Sequence, residues 1–370
     1  MTGNKNTASE KGPVGATAAG TERYVARARS RFQPDFYRAA RTGLTMSSVG
    51  LGTYLGDTDD VTDALYLEAL ARAFASGVNV VDSAINYRCQ RSERAVGKVL
   101  RACTESGSVA RDEIVVCTKA GYVPLDGNTP TSREEYQAYL KREYFDPGVI
   151  SPKDLVSGGH AMTAMFLRDQ LQRSLRNLGV GRIDYYYLHN PEHQLSVVTR
   201  EEFLARLRAA FEALEQMASE GSIGAYGCAT WNGLRLPAGS AGHLSLYDLA
   251  QTAKEVAGER NHFSIVQLPI NLSMSEAMRV STQRDPRGRL VHVTDAATDL
   301  GVDLVASAPL MQGQLTRDLP AQVRELFPGT SDAQKALAFV RAVPGVLTAA
   351  VGMKSSAHVD ENLAAFRNPS

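Results

Sequence analysis

The sequence lacks several features that mark particular classes of protein. Its 40 basic and 40 acidic residues cancel, so the net charge does not indicate nucleic acid or an anionic membrane as a partner. No apolar run reaches the roughly 20 residues that span a bilayer, and residues 1–22 lack the apolar core of a signal peptide. The cysteines form no CxxC pair, which is typical of a reduced protein. We therefore expect a cytoplasmic protein with no nucleic-acid or membrane partner.

Short runs rich in valine and isoleucine recur along the chain. Their near-continuous apolar character is typical of strands that are buried on both faces of a parallel sheet. The predicted strands are 47–52, 78–82, 113–119, 183–189, 223–229, 264–269, 302–308 and 346–352.

Segments of helical period separate most of these strands. The helices predicted at 61–76, 165–178 and 200–220 keep their apolar residues on one face, and a glycine ends each of them or follows it directly. Eight strands that alternate with helices predict an α/β fold, a single-domain (β/α)8 TIM barrel over residues 41–370. Residues 1–40 are expected to form a flexible N-terminal tail and lead-in, whose arginine-rich end forms a solvated helix or contacts a partner.

Two long interruptions follow strands of the predicted barrel. Residues 121–160, rich in tyrosine, proline and glycine, come after the third strand, and 270–287 come after the sixth. Both lie at carboxyl ends of strands, where barrel enzymes build their active sites. The longer insertion predicts either a lid over a large substrate or an ordered surface loop without substrate contact.

Four polar residues fall at the same end of the predicted barrel: Asp82, Tyr87, Lys119 and His189. A tyrosine with its ordinary pKa of about 10 can donate a proton at neutral pH, and a nearby ammonium would stabilise the phenolate and lower that pKa. Lys119 could supply the ammonium, Asp82 would keep it charged, and His189 would hydrogen-bond the reacting oxygen. The pattern predicts an acid–base site with Tyr87 as the proton donor.

Longer blocks around these residues resemble the aldo-keto reductase family. They include "VVDSAINYRCQRSERAVGKVL", "IVVCTKAG", "LQRSLRNLGVGRIDYYYLHNPE", "IVQLPIN" and "VGMKSSAHVDENLAAF", in the family's order. The resemblance extends from about residue 45 to 368. It implies that the four residues form a catalytic tetrad, and that hydride passes from a nicotinamide to a carbonyl carbon while Tyr87 protonates the oxygen.

The resemblance also implies NADP(H) as the cofactor. Lys354 and Ser355 match the positions that bind the 2′-phosphate, Glu361 and Asn362 match those near the adenine, and Gln267 matches the one that holds the carboxamide. The other cofactor-binding candidates are Gly52, Thr53, Tyr54, Thr230, Pro309, Leu310, Gly313 and His358. The substrate-pocket candidates are Tyr54, Tyr122, His160 and Trp231.

Some positions depart from the family's pattern. Ala229 and Thr230 stand where Ser-Asn is usual, Ala308 stands where a serine commonly meets the pyrophosphate, and His358 replaces a usual Gln or Arg. NADP is therefore expected as a preference over NAD, and one hydrogen bond to the carboxamide is either missing or replaced by Thr230 or Asn232.

Two shorter motifs imitate other chemistry. "GLGTYLG" at 50–56 is followed by the acidic "DTDD", which would repel a pyrophosphate. "HNPEH" at 189–193 spells a zinc motif that requires a helix, but His189 ends a predicted strand and Pro191 interrupts any helix. We predict no metal site.

The sequence is thus interpreted as an NADP-dependent reductase of a small-molecule carbonyl, that is, an aldehyde, a ketone or a sugar-like compound. One alternative is a cofactor-binding regulatory subunit of the same fold with little or no turnover. Another is a barrel isomerase or lyase without nicotinamide. The residues predict neither the substrate nor the oligomeric state.

Overall fold

Eight parallel strands close into a barrel in the computed structural model, which describes residues 15–156 and 159–368. The strands of these residues are β1 Tyr37–Ala39, β2 Thr45–Ser47, β3 Val49–Gly52, β4 Val80–Asp82, β5 Val115–Ala120, β6 Ile183–His189, β7 Ile223–Ala229, β8 Phe263–Pro269, β9 Gln283–Arg284, β10 Leu290–Val291, β11 Asp303–Ser307 and β12 Val346–Gly352. The barrel runs β3-β4-β5-β6-β7-β8-β11-β12 and returns to β3. The predicted (β/α)8 barrel is confirmed, and each of the eight predicted runs overlaps one barrel strand.

Helices surround this barrel. They are α1 Ala18–Ala28, α2 Asp60–Ser76, α3 Arg91–Glu105, α4 Arg133–Leu140, α5 Ala164–Leu178, α6 Arg200–Ser219, α7 Leu246–Ala257, α8 Glu276–Arg279, α9 Val293–Leu300, α10 Ala321–Leu326, α11 Asp332–Ala342 and α12 Ser356–Ala364. The helices predicted at 61–76, 165–178 and 200–220 are α2, α5 and α6. Side-chain caps at Thr163 and Thr199 begin the last two.

The inside of the barrel is a packed apolar core beneath the carboxyl ends of the strands. Val80, Val115, Tyr185 and Ile265 belong to this cluster and are almost completely buried. The β1–β2 hairpin closes the opposite end, where Met46 is fully buried in the same cluster. A closed lower end leaves the upper end for binding.

The segment 15–40 is packed against the barrel, so the expected flexible lead-in with a solvated helix is wrong for these residues. In α1, Tyr24 and Val25 are buried, and the Tyr24 hydroxyl donates to the Val78 carbonyl at 2.9 Å. Arg27 donates two 2.7 Å hydrogen bonds to the buried Glu113 carboxylate. Charge-assisted hydrogen bonds of this kind stabilise the docked helix. Residues 1–14, for which a flexible tail was predicted, lie outside the described residues.

The insertion 121–160 folds around an apolar cluster of its own. It contains α4, followed by a π-helical turn over Lys141–Phe145. Its buried members, together with neighbours at the start of α5, are Tyr139, Leu140, Tyr144, Ile150, Ala161 and Phe166. Residues 121–156 and 159–160 of the insertion therefore form an ordered substructure at the carboxyl end of β5.

No helix within 15–156 and 159–368 has the length and apolar character needed to cross a membrane.

Candidate active site

A cleft of about 880 Å³ opens at the carboxyl ends of the barrel strands. Of the predicted catalytic and pocket residues, Asp82, Tyr87, His189, Tyr54, Tyr122 and Trp231 line it. Of the predicted cofactor residues, Gly52, Thr53, Tyr54, Thr230, Gln267, Pro309, Leu310, Gly313, Lys354, His358, Glu361 and Asn362 line it. Lys119, His160 and Ser355 do not. The cleft thus brings together most side chains that the sequence singled out.

A buried ion pair lies at the base of the cleft. Asp82 ends β4, and the side chain of Lys119 on neighbouring β5 is 0% exposed. The Lys119 Nζ lies 2.7 Å from Asp82 Oδ2 and donates to the Ser83 carbonyl at 2.7 Å. Gln267 Nε2 donates to the other Asp82 oxygen at 2.9 Å. Burial lowers the pKa of Lys119, but the Asp82 carboxylate and the Tyr87 phenol more than offset it, so this pKa is raised and the ammonium persists at neutral pH.

Tyr87 lies directly above this ammonium. The Lys119 Nζ is 4.9 Å from the centroid of the Tyr87 ring. Burial raises the pKa of the Tyr87 phenol and the charge of Lys119 opposes this, with a net rise. The expected fall of this pKa is therefore wrong in direction, because the loss of solvent outweighs the ammonium. The phenol keeps its proton at neutral pH.

A left-handed turn fixes Tyr87 from its carboxyl side. Arg88, Cys89 and Gln90 have φ values of 48°, 53° and 69°, which non-glycine residues rarely adopt. The Arg88 guanidinium donates to the Asp57 carbonyl at 2.8 Å and lies 2.5 Å from the Asp63 carboxylate. These contacts tie the turn to the loop after β3 and to the first turn of α2, and hold the strained backbone in place.

His189 ends β6 on the opposite side of Tyr87. The ring centroids of His189 and Tyr87 are 6.0 Å apart, and those of His189 and Tyr122 are 5.1 Å apart. Burial, and then the positive charge of Lys119, place the pKa of His189 well below its ordinary value. The imidazole is therefore neutral at pH 7 and can donate one hydrogen bond to a polar group in the cleft.

His160 was expected in the pocket but lies behind its wall. Its side chain is fully buried, and Nε2 lies 2.7 Å from the His189 carbonyl oxygen. The imidazole forms its hydrogen bond with the backbone at the end of β6, so it does not face the cleft. This expectation is corrected.

One end of the cleft contains a lysine and adjoins a helix. Lys354 and His358 line this end, where α12 begins. The Ser355 side chain accepts a hydrogen bond from the His358 backbone N–H at 3.3 Å and caps the helix. Ser355 therefore contributes to this end through the cap, whereas the lysine and the helix N-terminus favour an anionic group.

Thr230 places an unpartnered hydroxyl in the cleft wall. Its residue is 4% exposed, and Oγ1 has no hydrogen-bond partner among the described residues. A buried polar atom without a partner costs free energy, so it indicates a position where a bound molecule completes the hydrogen bonding.

Comparison with known proteins identifies the family. The family model described as "Aldo/keto reductase family" matches residues 48–369. The chain belongs to the aldo/keto reductase family. It is 30% identical over 202 residues to a D-threo-aldose 1-dehydrogenase from Pseudomonas sp, a match that covers 51% of each chain. It is 27% identical over 194 residues to the NADH-specific methylglyoxal reductase of Escherichia coli (strain K12), covering 51% of this chain and 49% of the relative. These matches span about half the length of the relatives.

Solved aldo-keto reductases share the fold. One from Klebsiella pneumoniae, in complex with NADP and acetate, has a TM-score of 0.58 at 20% identity and covers 89% of both chains. The holo form of one from Bacillus halodurans has a TM-score of 0.56 at 21% identity, covering 89% of this chain and 90% of that one. At these identities the likeness shows the fold alone.

In this aldo/keto reductase, a buried carboxylate that sequence reasoning missed organises the loop after β7. Glu192 Oε1 accepts hydrogen bonds from the backbone N–H groups of Trp231, Asn232 and Gly233, at 2.7, 3.1 and 3.2 Å. Burial raises its pKa. The sequence drew attention to Glu192 only through the zinc-like "HNPEH". Among the described residues no group of three or more His, Cys, Asp or Glu is arranged to hold a metal.

Asn190 is a second residue that was not predicted. It lines the cleft, and its Nδ2 donates to the Tyr122 hydroxyl at 2.8 Å. His193 Nδ1 lies 3.1 Å from the same hydroxyl. The two neighbours fix the Tyr122 ring as a wall of the cleft in this family member.

Proposed function

We propose that this protein is an NADP-dependent oxidoreductase that reduces an aldehyde or ketone to an alcohol, with Tyr87 as the general acid. The observation that supports this best is the enclosed ammonium of Lys119, 2.7 Å from Asp82 and 4.9 Å from the ring centroid of Tyr87. Burying a charge so completely costs free energy, and the packing of the barrel alone would not require a charged residue here. Below a phenol in a cleft, it favours the phenolate that remains after proton donation.

The residues of the cleft fit an NADP molecule. The unpartnered Thr230 hydroxyl and Gln267 suit an amide, and Lys354 with the N-terminus of α12 suits a phosphate. The Klebsiella pneumoniae enzymes of similar fold were solved with NADP and with NADPH. The nicotinamide, when bound, supplies the hydride. An NADH-specific relative exists, so we expect a preference for NADP and not a strict requirement.

The chain's own residues provide the proton and orient the carbonyl. Tyr87 holds its proton at neutral pH because burial raises the pKa of the phenol. Lys119 stabilises the phenolate as the proton leaves, and Asp82 keeps the lysine charged. The neutral imidazole of His189 donates a hydrogen bond to the oxygen of the substrate carbonyl. This hydrogen bond polarises the carbonyl and orients its oxygen toward Tyr87.

The substrate is expected to be a small molecule held between aromatic walls. Tyr54 and Trp231 are 55% and 39% exposed at the mouth of the cleft, and Tyr122 lines it next to His189. Exposed aromatic rings offer large contact areas to a ligand at little cost in conformational entropy.

The test measures binding and turnover separately. Purified protein is titrated with NADPH by fluorescence and then mixed with 4-nitrobenzaldehyde and a panel of carbonyl compounds while absorbance of NADPH is followed. We expect binding and oxidation of NADPH. Binding without turnover on the whole panel would support the regulatory-subunit alternative, and no binding would contradict the proposal.

A lysine variant tests the choice of cofactor. Lys354→Met should weaken NADPH binding by about tenfold or more, the scale of one lost charge-assisted contact, and leave NADH binding nearly unchanged. Equal losses for both nucleotides would contradict the role of Lys354 at the 2′-phosphate.

A further inference from the structure

His160 is a fully buried, titratable side chain that the chemistry above does not use. Both of its ring nitrogens have partners. Nε2 lies 2.7 Å from the His189 carbonyl oxygen, and Nδ1 lies 2.8 Å from Gln194 Nε2. The Gln194 side-chain oxygen accepts from Arg206 Nη1 at 2.7 Å. A continuous line of hydrogen bonds therefore connects α6 at the protein surface to the backbone of His189.

The two ends of this line determine which group donates and which accepts in each of its hydrogen bonds. A guanidinium can only donate, so Gln194 presents its oxygen to Arg206 and its NH₂ group to His160. Nδ1 of His160 must then accept, and Nε2 must bear the hydrogen. A carbonyl oxygen can only accept, so the Nε2–H donates to His189. Each group has the role that its neighbours require, in the neutral form of the imidazole.

The His189 carbonyl lies beyond the end of the β5–β6 ladder, although His189 is still paired with Ala229 on β7. The ladder between β5 and β6 ends at the pair Ala120 and Leu188, one residue earlier. The next residue of the β5 strand end is Gly121, where an added Cβ would stand 2.7 Å from the His189 oxygen and 2.9 Å from His160 Nε2. The glycine leaves the space in which the imidazole reaches this oxygen.

The same imidazole also supports the wall of the cleft. Its ring centroid is 5.2 Å from that of Tyr122, at an interplanar angle of 83°, and Tyr122 in turn meets His189 at 87°. The edge-to-face contacts connect the three rings, with His160 on the buried side. The backbone of residue 160 pairs with both residue 122 and residue 156 in isolated bridges.

We propose that His160 is a positioning residue for His189 and Tyr122, and that the hydrogen-bonded line from Arg206 through Gln194 to His160 serves as a brace of the catalytic end of β6. The catalytic part of this inference rests on the proposed function. The brace holds the imidazole of His189 at the distance from Tyr87 that a shared carbonyl oxygen requires. Small displacements of a catalytic group have large effects on rate.

The activity test compares His160→Phe with His160→Gln. Phenylalanine fills the space but leaves the His189 carbonyl without its donor, whereas the glutamine NH₂ group can still donate. We expect kcat to fall by about tenfold or more in His160→Phe, with the NADPH dissociation constant within about twofold of the wild type. His160→Gln should recover most of that loss.

A matched control separates positioning from stability. Ile150→Ala removes apolar volume from the insertion's own cluster, away from the hydrogen-bonded line, and should destabilise the fold by about 2–5 kcal/mol. Its kcat should stay within about twofold of the wild type at a temperature where it is folded. An equal fall of kcat in Ile150→Ala, or an unchanged kcat in His160→Phe, would overturn the proposal. If His160→Phe does not fold, Gln194→Met replaces it; this variant removes the partner that fixes the tautomer of His160 but keeps the imidazole, so a smaller fall of kcat is expected, and an unchanged kcat would overturn the proposal.

A second readout does not depend on activity. In protein labelled with ¹⁵N-histidine, the wild type should show a slowly exchanging imidazole Nε2–H resonance that His160→Phe lacks. The side-chain resonances of His189 should shift in His160→Phe and not in Ile150→Ala. A wild type without such a resonance would overturn the hydrogen bond even if the enzyme is active. An inactive wild type with the resonance would contradict the proposed function and leave the brace intact.

Discussion

Replacing Asp82 by asparagine removes one charge of the buried ion pair and keeps the shape of the side chain. Lys119 is 0% exposed, and its Nζ is 2.7 Å from the carboxylate. At that distance, with an effective dielectric constant of about 20, the Coulomb attraction is roughly 6 kcal/mol, from which the cost of dehydrating both groups must be subtracted. Variants that leave one partner of such a pair buried alone lose about 3–5 kcal/mol. We expect a loss near 3 kcal/mol, because the amide oxygen and the Ser83 carbonyl still accept from the ammonium.

The sign of the pH dependence follows from the pKa of Lys119. In the wild type this pKa is raised by Asp82, so the stability that the pair contributes is complete at neutral pH and is lost only as pH rises through the folded-state pKa. Without the carboxylate, burial is the dominant influence and lowers the pKa of Lys119. Between that lowered pKa and the ordinary value of 10.5, the unfolded chain then binds more protons than the native one, so Asp82→Asn should become more stable as the pH rises through that range toward 9, whereas the wild type should not gain in this way.

Urea unfolding at pH 7 and pH 9 measures the free energy of unfolding of the wild type, Asp82→Asn, Lys119→Met and the double variant, which together form a double-mutant cycle. The double variant should be more stable than Asp82→Asn, since it leaves no buried charge. Glu220→Gln is the control, because its partner Arg168 is 40% exposed and solvent screens surface pairs of this kind, so only a small loss is expected. A loss in Asp82→Asn no larger than in this control, or simple additivity of the two single variants, would refute the reasoning.

Three further changes test other parts of the structure. Glu192→Gln replaces the carboxylate that accepts hydrogen bonds from the 231–233 loop by an amide. In steady-state assays it should raise KM for the carbonyl by about tenfold, more than it lowers kcat, and an unchanged KM would contradict this. Gly121→Ala places a Cβ 2.7 Å from the His189 oxygen and should lower the free energy of unfolding, measured in urea, by about 2 kcal/mol or more. An unchanged free energy would show that the backbone at the strand ends moves to accommodate the methyl group. Hydrogen bonds from arginine hold the pKa of Glu113 at about 2 although burial opposes them, so the stability it contributes is present above its unfolded pKa of 4.5 and is lost as pH falls to about 2. Glu113→Gln should therefore cost about 1–2 kcal/mol at pH 7 and less at pH 3; equal losses would contradict this.

The barrel and the meeting of the four polar residues could be predicted from the sequence because both follow from periodicity. Strands buried on both faces appear as apolar runs, as in β6, whose observed bounds of Ile183–His189 equal the predicted ones. Parallel strands in a barrel bring their carboxyl ends to one side. Asp82 and His189 had to share that side once the strands were assigned.

Contacts made between loops could not be predicted in this way. His160 was assigned to the pocket as an aromatic residue of a long insertion, but its position depends on Gln194, which comes 34 residues later and has no local signal. The docking of α1 was missed because its apolar residues are few and the arginines around them resemble a solvated surface. Their partner, Glu113, lies 86 residues from Arg27. The pKa of Tyr87 depends on how completely the fold excludes water, and residue type alone does not contain that information.

The central claim is that Tyr87 gives the proton to the carbonyl oxygen while hydride comes from NADPH. Single-turnover oxidation of bound NADPH by a saturating carbonyl substrate, compared between the wild type and Tyr87→Phe, tests it most directly. We predict a rate at least about 10²-fold lower in the variant, with the NADPH dissociation constant within about twofold of the wild type. A rate within about threefold of the wild type would contradict the account.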